Sequence, residues 1–239
     1  MFDRSCSAAM CIVAALHFSG VLLRADTAAG IQAFRHRDYA AAYSEWKGPA
    51  AEGHADAQYN LGILYLKGLG VAHNPEEAFR WFHLAAEQGQ ADAQYQVGLM
   101  REKGVGVQQD YGQAQTWFAL AAQRGDPGAE AALAELYEQG YGVQKDGARA
   151  VQWYRLAAEQ GHVEAEYRLG SCYAAGRGVG KDTVKAYFWL TLAARQQHAD
   201  AEKQRAALAP KLSPVDIANA ESSAAAWKPR TVRPQNPIH

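Results

Sequence analysis

A block of 36 residues recurs four times without a gap in this 239-residue chain, opening at Ala55, Ala91, Pro127 and Val163 and closing at His198. In that frame one column reads Trp81, Trp117, Trp153, Trp189, and two alanine columns follow it, Ala85/Ala121/Ala157/Ala193 and Ala86/Ala122/Ala158/Ala194. Two glycine columns, Gly68/Gly104/Gly140/Gly176 and Gly70/Gly106/Gly142/Gly178, are each completed by Val71, Val107, Val143 or Val179. A fixed period of this length means stacked units, none of which can bury its apolar face alone. Such stacks offer extended binding surfaces rather than enclosed pockets.

One block reads as two helices. Ala57, Leu61, Gly62 and Tyr65 share one helical face, and Gly68 ends that helix because a residue without Cβ adopts positive φ cheaply. Asn74-Pro75-Glu76-Glu77 starts the second helix with an N-cap, a first-turn proline and carboxylates at the positive end of the dipole. In the next block Asp110 and Gln113 form a capping-box pair at the same place. The second helix is expected to bury Ala78, Trp81, Phe82, Ala85 and Ala86 and to end at Gly89. The tryptophan column is thereby expected to be core between successive repeats, not a sugar-stacking ladder, since large aromatics dominate burial. The fold class that follows is an all-α solenoid of helix-turn-helix repeats over 55–90, 91–126, 127–162 and 163–198, with the short connections forcing antiparallel neighbours.

The flanks differ from the repeats, as the water-facing ends of a solenoid must. Asp38, Ala42, Trp46 and Gly53 match Asn74, Ala78, Phe82 and Gly89, so 30–54 reads as an N-terminal capping partial repeat. After His198 the frame continues through Ala199, Ala201 and Leu208. Leu212-Ser213-Pro214 then replaces the glycine loop and starts a last helix to about Trp227, which makes 199–227 a C-terminal cap. Residues 228–239, with three prolines and three basic side chains, read as a disordered tail.

Ser5 to Leu23 is a run of 19 residues without Asp, Glu, Lys or Arg, preceded by Arg4 and followed by Ala25, Thr27, Ala28 and Ala29. That is the pattern of a secretory signal over 1–29, cleaved after Ala29 or after Ala25, which places the mature chain in the periplasm or outside the cell. The rival is an uncleaved anchor, because the run is just long enough to span a bilayer. Lys plus Arg number 24 against 25 for Asp plus Glu, so the global basic field that nucleic-acid binding requires is missing. Cys6 and Cys11 fall in the apolar run, leaving Cys172 alone in the mature chain, where it reads as a small hydrophobe.

Three local patterns resemble chemistry. Ser44-Glu45-Trp46-Lys47 fits S-x-x-K, the nucleophile motif of penicillin-recognising enzymes, without its K-T-G and S-D-N companions. Gly176-Arg177-Gly178-Val179-Gly180-Lys181 resembles a phosphate loop, but Ala175 breaks the spacing and Asp182 follows the lysine. His54, His162 and His198 share one column, yet equivalent positions in successive repeats are separated by about 10 Å, the helix packing distance, whereas zinc ligands stand about 2 Å from the metal. All three read as turn or repeat residues, and no catalytic residue, cofactor or metal is expected.

The columns Ala55, Ala57, Leu61, Gly62, Tyr65, then Gly68, Gly70, Val71, then Ala78, Trp81, Phe82, Ala85, Ala86, Gly89 resemble the Sel-1-like repeat family from about Asp38 to Trp227. The resemblance implies an α/α superhelix related to tetratricopeptide repeats that serves as an adaptor for protein partners, in a family with many exported bacterial members. Some cysteine-rich relatives look like β-lactam binders or hydrolases. This chain lacks their paired cysteines, so that activity is not carried over; an envelope enzyme acting on peptidoglycan or β-lactams, or a membrane-anchored scaffold, stands as the alternative. By resemblance to tetratricopeptide units, the fifth, sixth and ninth positions of each first helix line the concave, partner-binding groove. These are Tyr59, Asn60 and Ile63; Tyr95, Gln96 and Leu99; Ala131, Ala132 and Glu135; and Tyr167, Arg168 and Ser171. The units also depart from their own pattern: Arg101 stands in a tyrosine column, and Ala131 and Ala134 replace a Tyr and a Gly. Such departures read as tolerance or as a partner site.

Overall fold

A computed structural model of the chain describes residues 27–230. The signal-like segment before Thr27, with Cys6 and Cys11, and the tail from residue 231 on lie outside the described residues. The described residues form helices and no strand: α1 (27–35), α2 (Tyr39–Ala51), α3 (Ala55–Lys67), α4 (Pro75–Glu87), α5 (Ala91–Lys103), α6 (Tyr111–Gln123), α7 (Pro127–Gln139), α8 (Gly147–Glu159), α9 (Val163–Ala175), α10 (Thr183–Arg195), α11 (Ala199–Leu208), a 3-10 turn (Ala209–Lys211) and α12 (Pro214–Ala226). The expected block openings at Ala55, Ala91, Pro127 and Val163 are the first residues of α3, α5, α7 and α9. The fold is an all-α solenoid of helix pairs. None of the described helices is long and apolar enough to cross a membrane.

The chain divides into two compact units. One holds the residues up to Ala93 with Val105–Val107, and the other holds Gln94–Gly104 and the residues from Gln108. In the first, α2, α3 and α4 pack in sequence. In the second, α6 to α11 pack pairwise along the chain, and α12 covers α10.

The second helices start where the side chains dictate. Asn74 accepts from the Glu77 N–H at 3.0 Å, Asp110 from Gln113 at 2.9 Å and Asp182 from Lys185 at 2.9 Å, which relieves donors that no helical carbonyl reaches. Gln113 departs from the expected capping box, since its side-chain amide donates to Asp110 Oδ2 instead of reaching the cap backbone. Gly68, Gly140 and Gly176 end first helices at φ 64°, 83° and 72°. The second glycine of the loop has a further reason: a Cβ on Gly142 would stand 2.6 Å from Tyr111 Cβ and 2.7 Å from its carbonyl carbon. That loop lies directly on the start of the preceding second helix, where no side chain fits.

The core column is not the tryptophan column. Trp81, Trp117, Trp153 and Trp189 are half-buried, whereas the next position, Phe82, Phe118, Tyr154 and Leu190, is at most 2% exposed and continues back to Trp46. Each of these side chains presses into the small residue of its own first helix. A Cβ on Gly62 would stand 2.6 Å from the Phe82 ring, and one on Gly98 would stand 2.5 Å from Phe118. One residue further along a helix turns the side chain by about 100°, so the tryptophans lie over the seam between repeats. Trp153 accordingly touches two apolar clusters of the second unit.

A second buried column is polar. Gln58, Gln94, Glu130 and Glu166 are 4%, 3%, 3% and 0% exposed. Gln58 accepts from Gln88 at 2.7 Å and donates to the Ala50 carbonyl at 3.1 Å, tying the end of α4 to the end of α2. Glu130 and Glu166 accept likewise from Gln160 at 2.7 Å and Gln196 at 3.0 Å. Glu166 Oε1 is buried without a partner, where the glutamine would donate. A protonated carboxyl can donate there, and a carboxylate cannot. Both acids are pushed up from 4.5 to about 7: Glu166 by burial, opposed by Gln196, and Glu130 by burial, opposed by the Arg230 charge and Gln160.

The ends hold two adjustments. The described part of α1 already includes residues 27–29, ahead of the boundary expected at Gly30, and the Trp46 indole N–H donates to the Thr27 carbonyl at 3.4 Å. At the other end α12 keeps its expected serine cap, with Ser213 accepting from the Asp216 N–H at 3.1 Å. Within the tail, residues 228–230 are placed: the Arg230 N–H donates to the Glu159 carbonyl at 2.8 Å, and Pro229 lies beside Gly161.

Phe118→Ala should cost about 3–5 kcal/mol, the usual loss for a large buried aromatic. Trp117→Ala should cost less, within the roughly 0.5–3 kcal/mol of ordinary substitutions; urea unfolding of both variants checks the order. The raised folded-state pKa of Glu166 means that its neutral form stabilises fully below about 4.5 and that this contribution is lost as the pH rises through about 7. Glu166→Gln should therefore raise the melting temperature at pH 8.5 relative to wild type, with a smaller difference at pH 5.

Candidate functional site

The second unit carries a groove of about 540 Å³, within the size range of ligand sites. Its floor is α7, which contributes Gly128, Ala131, Ala132 and Glu135. One wall is α5 with Tyr95, Leu99, Glu102 and Lys103, continued by Gln109 and Tyr111. The other wall is Tyr154 of α8 with His162, Glu164 and Arg168 at the start of α9, and Tyr141 of the glycine loop closes one side.

Local packing sets each of these side chains. Tyr141, 47% exposed, stacks on Tyr111 with ring centroids 5.1 Å apart, and Gln109 donates to the Tyr111 hydroxyl at 3.1 Å. Tyr95 packs against Phe118 at 5.8 Å and leans over Gly128, where a Cβ would stand 2.9 Å from the tyrosine ring. The Tyr154 hydroxyl donates to Glu138 at 2.9 Å. His162 Nδ1 accepts from the Ala165 N–H at 3.2 Å and so caps α9. Arg168 donates to Glu164 at 2.6 Å, and His198 meets the other oxygen of that carboxylate at 3.1 Å.

The charges divide the groove. Burial pushes Glu164 up, but its hydrogen bonds from Arg168 and His198 outweigh that and hold it below the usual carboxylate range. Burial lowers His162 against the pull of Glu164, so its imidazole is neutral at neutral pH. Glu102 is raised by burial and then by the like charge of Glu135, with Lys103 opposing. Burial, followed by Asp126 and Glu102, pushes Tyr95 up to about 12. The groove therefore offers aromatic and small apolar surface, one neutral imidazole, the Glu102 and Glu135 carboxylates, the Lys103 ammonium, and an ion pair of Glu164 with the Arg168 guanidinium.

Of the groove positions expected from the sequence, Tyr95, Leu99, Ala131, Ala132, Glu135 and Arg168 line this one cavity. Gln96 is half-buried and outside its lining. Tyr59, Asn60 and Ile63, in the first unit, are 0%, 1% and 7% exposed, so they present no open surface. Tyr59 instead packs on Phe82 at 5.4 Å. Tyr167 stacks on His198 at 4.4 Å, and Ser171 is buried and donates to Gln204 at 2.6 Å. Tyr59 and Tyr167 are thus taken up in packing, Tyr59 on Phe82 of its own repeat and Tyr167 on the cap of α11. The sequence reading missed Glu102, Tyr111, Tyr141, Tyr154 and His162. Only Tyr141 left a signal, as the one aromatic between the two loop glycines, where other repeats hold Leu69, Val105 and Arg177.

The patterns that resembled chemistry find structural roles. Ser44 Oγ donates to the Ala40 carbonyl at 3.1 Å, while the Lys47 ammonium lies 5.7 Å from the Tyr43 ring centroid. Gly176 ends α9. His162 and His198 cap helices through Nδ1, and His54 occupies the same cap position without a side-chain hydrogen bond. Cys172 is buried, and burial followed by the Glu138 charge raises its thiol. Among the described residues no three His, Cys, Asp or Glu side chains cluster to hold a metal ion.

Helix pairs at a fixed period, glycine-ended first helices and an open groove define an α-solenoid repeat protein. The family model described as Sel1 repeat matches residues 55–90, 91–126, 127–162 and 163–198. The chain belongs to the Sel1 repeat family, whose members generally serve as protein-interaction scaffolds. Among solved structures it is similar to c5321, a protective antigen of uropathogenic Escherichia coli strains displaying an SLR fold. That match has 29% identity and a TM-score of 0.76 and covers 85% of this chain and 45% of the antigen chain. The chain thus spans less than half the length of that relative. It is also similar to a Sel1 repeat protein from Oxalobacter formigenes, with 33% identity and a TM-score of 0.72 over 84% of this chain and 85% of the other. No curated protein matches the chain.

Proposed function

We propose that this chain is an exported, non-catalytic adaptor that holds an extended segment of a protein partner in the groove of its second unit. The observation that carries this reading is the open cavity over α7, lined by the exposed Tyr141 and by Glu135 in a family of interaction scaffolds. Tyrosines bring large contact area with few rotatable bonds, the property that makes them frequent binding hot spots. The groove carboxylates can accept backbone N–H groups or pair with basic side chains of the partner.

Tyr141→Ala with Glu135→Ala removes two exposed groove side chains. The double variant should weaken capture of the native envelope partner at least tenfold while leaving the melting temperature close to wild type. Equal capture by wild type and variant would move the partner site out of the groove. Asn60→Ala is unsuited to this comparison, because Asn60 is buried. Purified protein should not turn over nitrocefin, which separates the adaptor from an envelope enzyme acting on β-lactams.

Export rests on the signal-like segment. Of its two cleavage points, the one after Ala25 keeps every described residue of α1, whereas the one after Ala29 removes Thr27, whose carbonyl accepts from Trp46. The exported protein should therefore begin at Asp26, as N-terminal sequencing would show. An intact N-terminus would favour the anchored form.

A further inference from the structure

The groove exists because one repeat lacks a ring that its neighbours possess. The fifth position of the first helix reads Tyr59, Tyr95, Ala131, Tyr167, and the sixth reads Asn60, Gln96, Ala132, Arg168. The third repeat alone carries two alanines there. In the second and fourth repeats the tyrosine fills the space toward the next first helix. Tyr95 leans over Gly128 near the start of α7, and Tyr167 lies on the imidazole of His198, the cap of α11, with centroids 4.4 Å apart and planes inclined by 23°.

His162 is the same cap one repeat earlier. Its Nδ1 accepts from the N–H three residues on at 3.2 Å, as His198 Nδ1 does. The two imidazoles thus hold the same register at the head of the next first helix, but Ala131 stands where the ring facing His162 would be. Ala131, Ala132 and His162 all border the groove. The chain itself displays, at Tyr167 and His198, what occupies this place when it is filled.

We propose that the groove contains a socket for an aromatic side chain of the partner, which takes the place of the tyrosine missing at Ala131 and stacks on His162. This deepens the adaptor reading and rests on it for the partner's being a peptide segment. An aromatic ring suits the place on three counts: a flat imidazole face, two methyl groups as floor, and apolar walls from Leu99 and Tyr154. Burial keeps His162 neutral, so the ring stacks on an uncharged imidazole. The carboxylates of Glu102 and Glu135 stand further along the groove, free to meet the segment's backbone donors or basic side chains.

The test is to titrate p-cresol, the side-chain analogue of tyrosine, into the isotopically labelled full chain and follow amide and methyl shifts. The expected result is saturable change centred on Ala131, Ala132 and His162, with isobutanol binding at least tenfold more weakly. Ala131→Tyr restores the ring seen at Tyr167 and should abolish cresol binding with no loss of melting temperature. Should that variant misfold, His162→Asp serves instead, because Asp126 already caps α7 at the equivalent position; it keeps the cap, removes the ring and should weaken cresol at least tenfold. Cresol shifts elsewhere, or binding untouched by these variants, would overturn the socket. A displayed peptide library separates this from the broader reading. Peptides that bind in a Tyr141-dependent way but show no aromatic preference and no response to Ala131→Tyr would overturn the socket and leave the groove standing. Cresol in the socket with no Tyr141-dependent peptide would uphold the socket and count against a peptide groove.

Discussion

The structure depends on one contact repeated along the chain: a large apolar side chain of each second helix pressed into a residue of its own first helix that has almost no side chain. Phe82 meets Gly62, Phe118 meets Gly98, and Leu190 meets Gly170 so closely that a single added carbon would stand within 2.9 Å of the partner atoms. Two helices can come that near only where one offers a flat patch. The same contact explains the alanine columns beside it, Ala78/Ala114/Ala150/Ala186 and Ala85/Ala121/Ala157/Ala193, all at most 1% exposed. Ala134 and Tyr154 are the third repeat's variation on it, buried in one apolar cluster.

The joints between repeats rest on polar side chains whose identities vary while their task does not. The residue before each first helix is His54, Gln90, Asp126, His162 or His198, and four of the five accept a backbone N–H three residues on. Helix starts demand an acceptor and tolerate several kinds. In the buried Gln58, Gln94, Glu130, Glu166 column, Gln58 ties the ends of two neighbouring second helices, while Glu130 and Glu166 each hold the glutamine at the end of their own second helix. Here the exchange of Gln for Glu is not neutral, because the carboxylate loses the donor that the amide supplies. Two repeats of the second unit consequently carry an ionisable group in a place built for an amide.

The groove grows out of this regular frame by omission. In the second and fourth repeats the fifth-position tyrosine reaches the start of the next first helix; in the third repeat it is absent, and a cavity opens between Tyr95 on one side and His162 on the other. A cavity in a well-packed stack would ordinarily lose stabilising contacts. Here aromatic and carboxylate side chains surround the gap and leave it open to solvent-borne partners.

The sequence alone determined the period, the boundaries of the paired helices, the caps and the glycine loops, because each depends on interactions within a few residues or on a signal repeated four times. Six of the groove positions were legible for the same reason, as they fall at fixed places in the first helix. What it could not determine was the direction of each side chain about the helix axis. Trp81 and Phe82 are adjacent, apolar and repeated, and only the packed pair shows that the second is core and the first covers the seam. Nor could it show that Tyr59 and Tyr167 are used in packing while the space before Ala131 stays open. That depends on Gly128 and His162, residues contributed across helices by tertiary contact rather than by local pattern. Tertiary structure alone decided which residue faces which, and so which repeat is left with room for a partner.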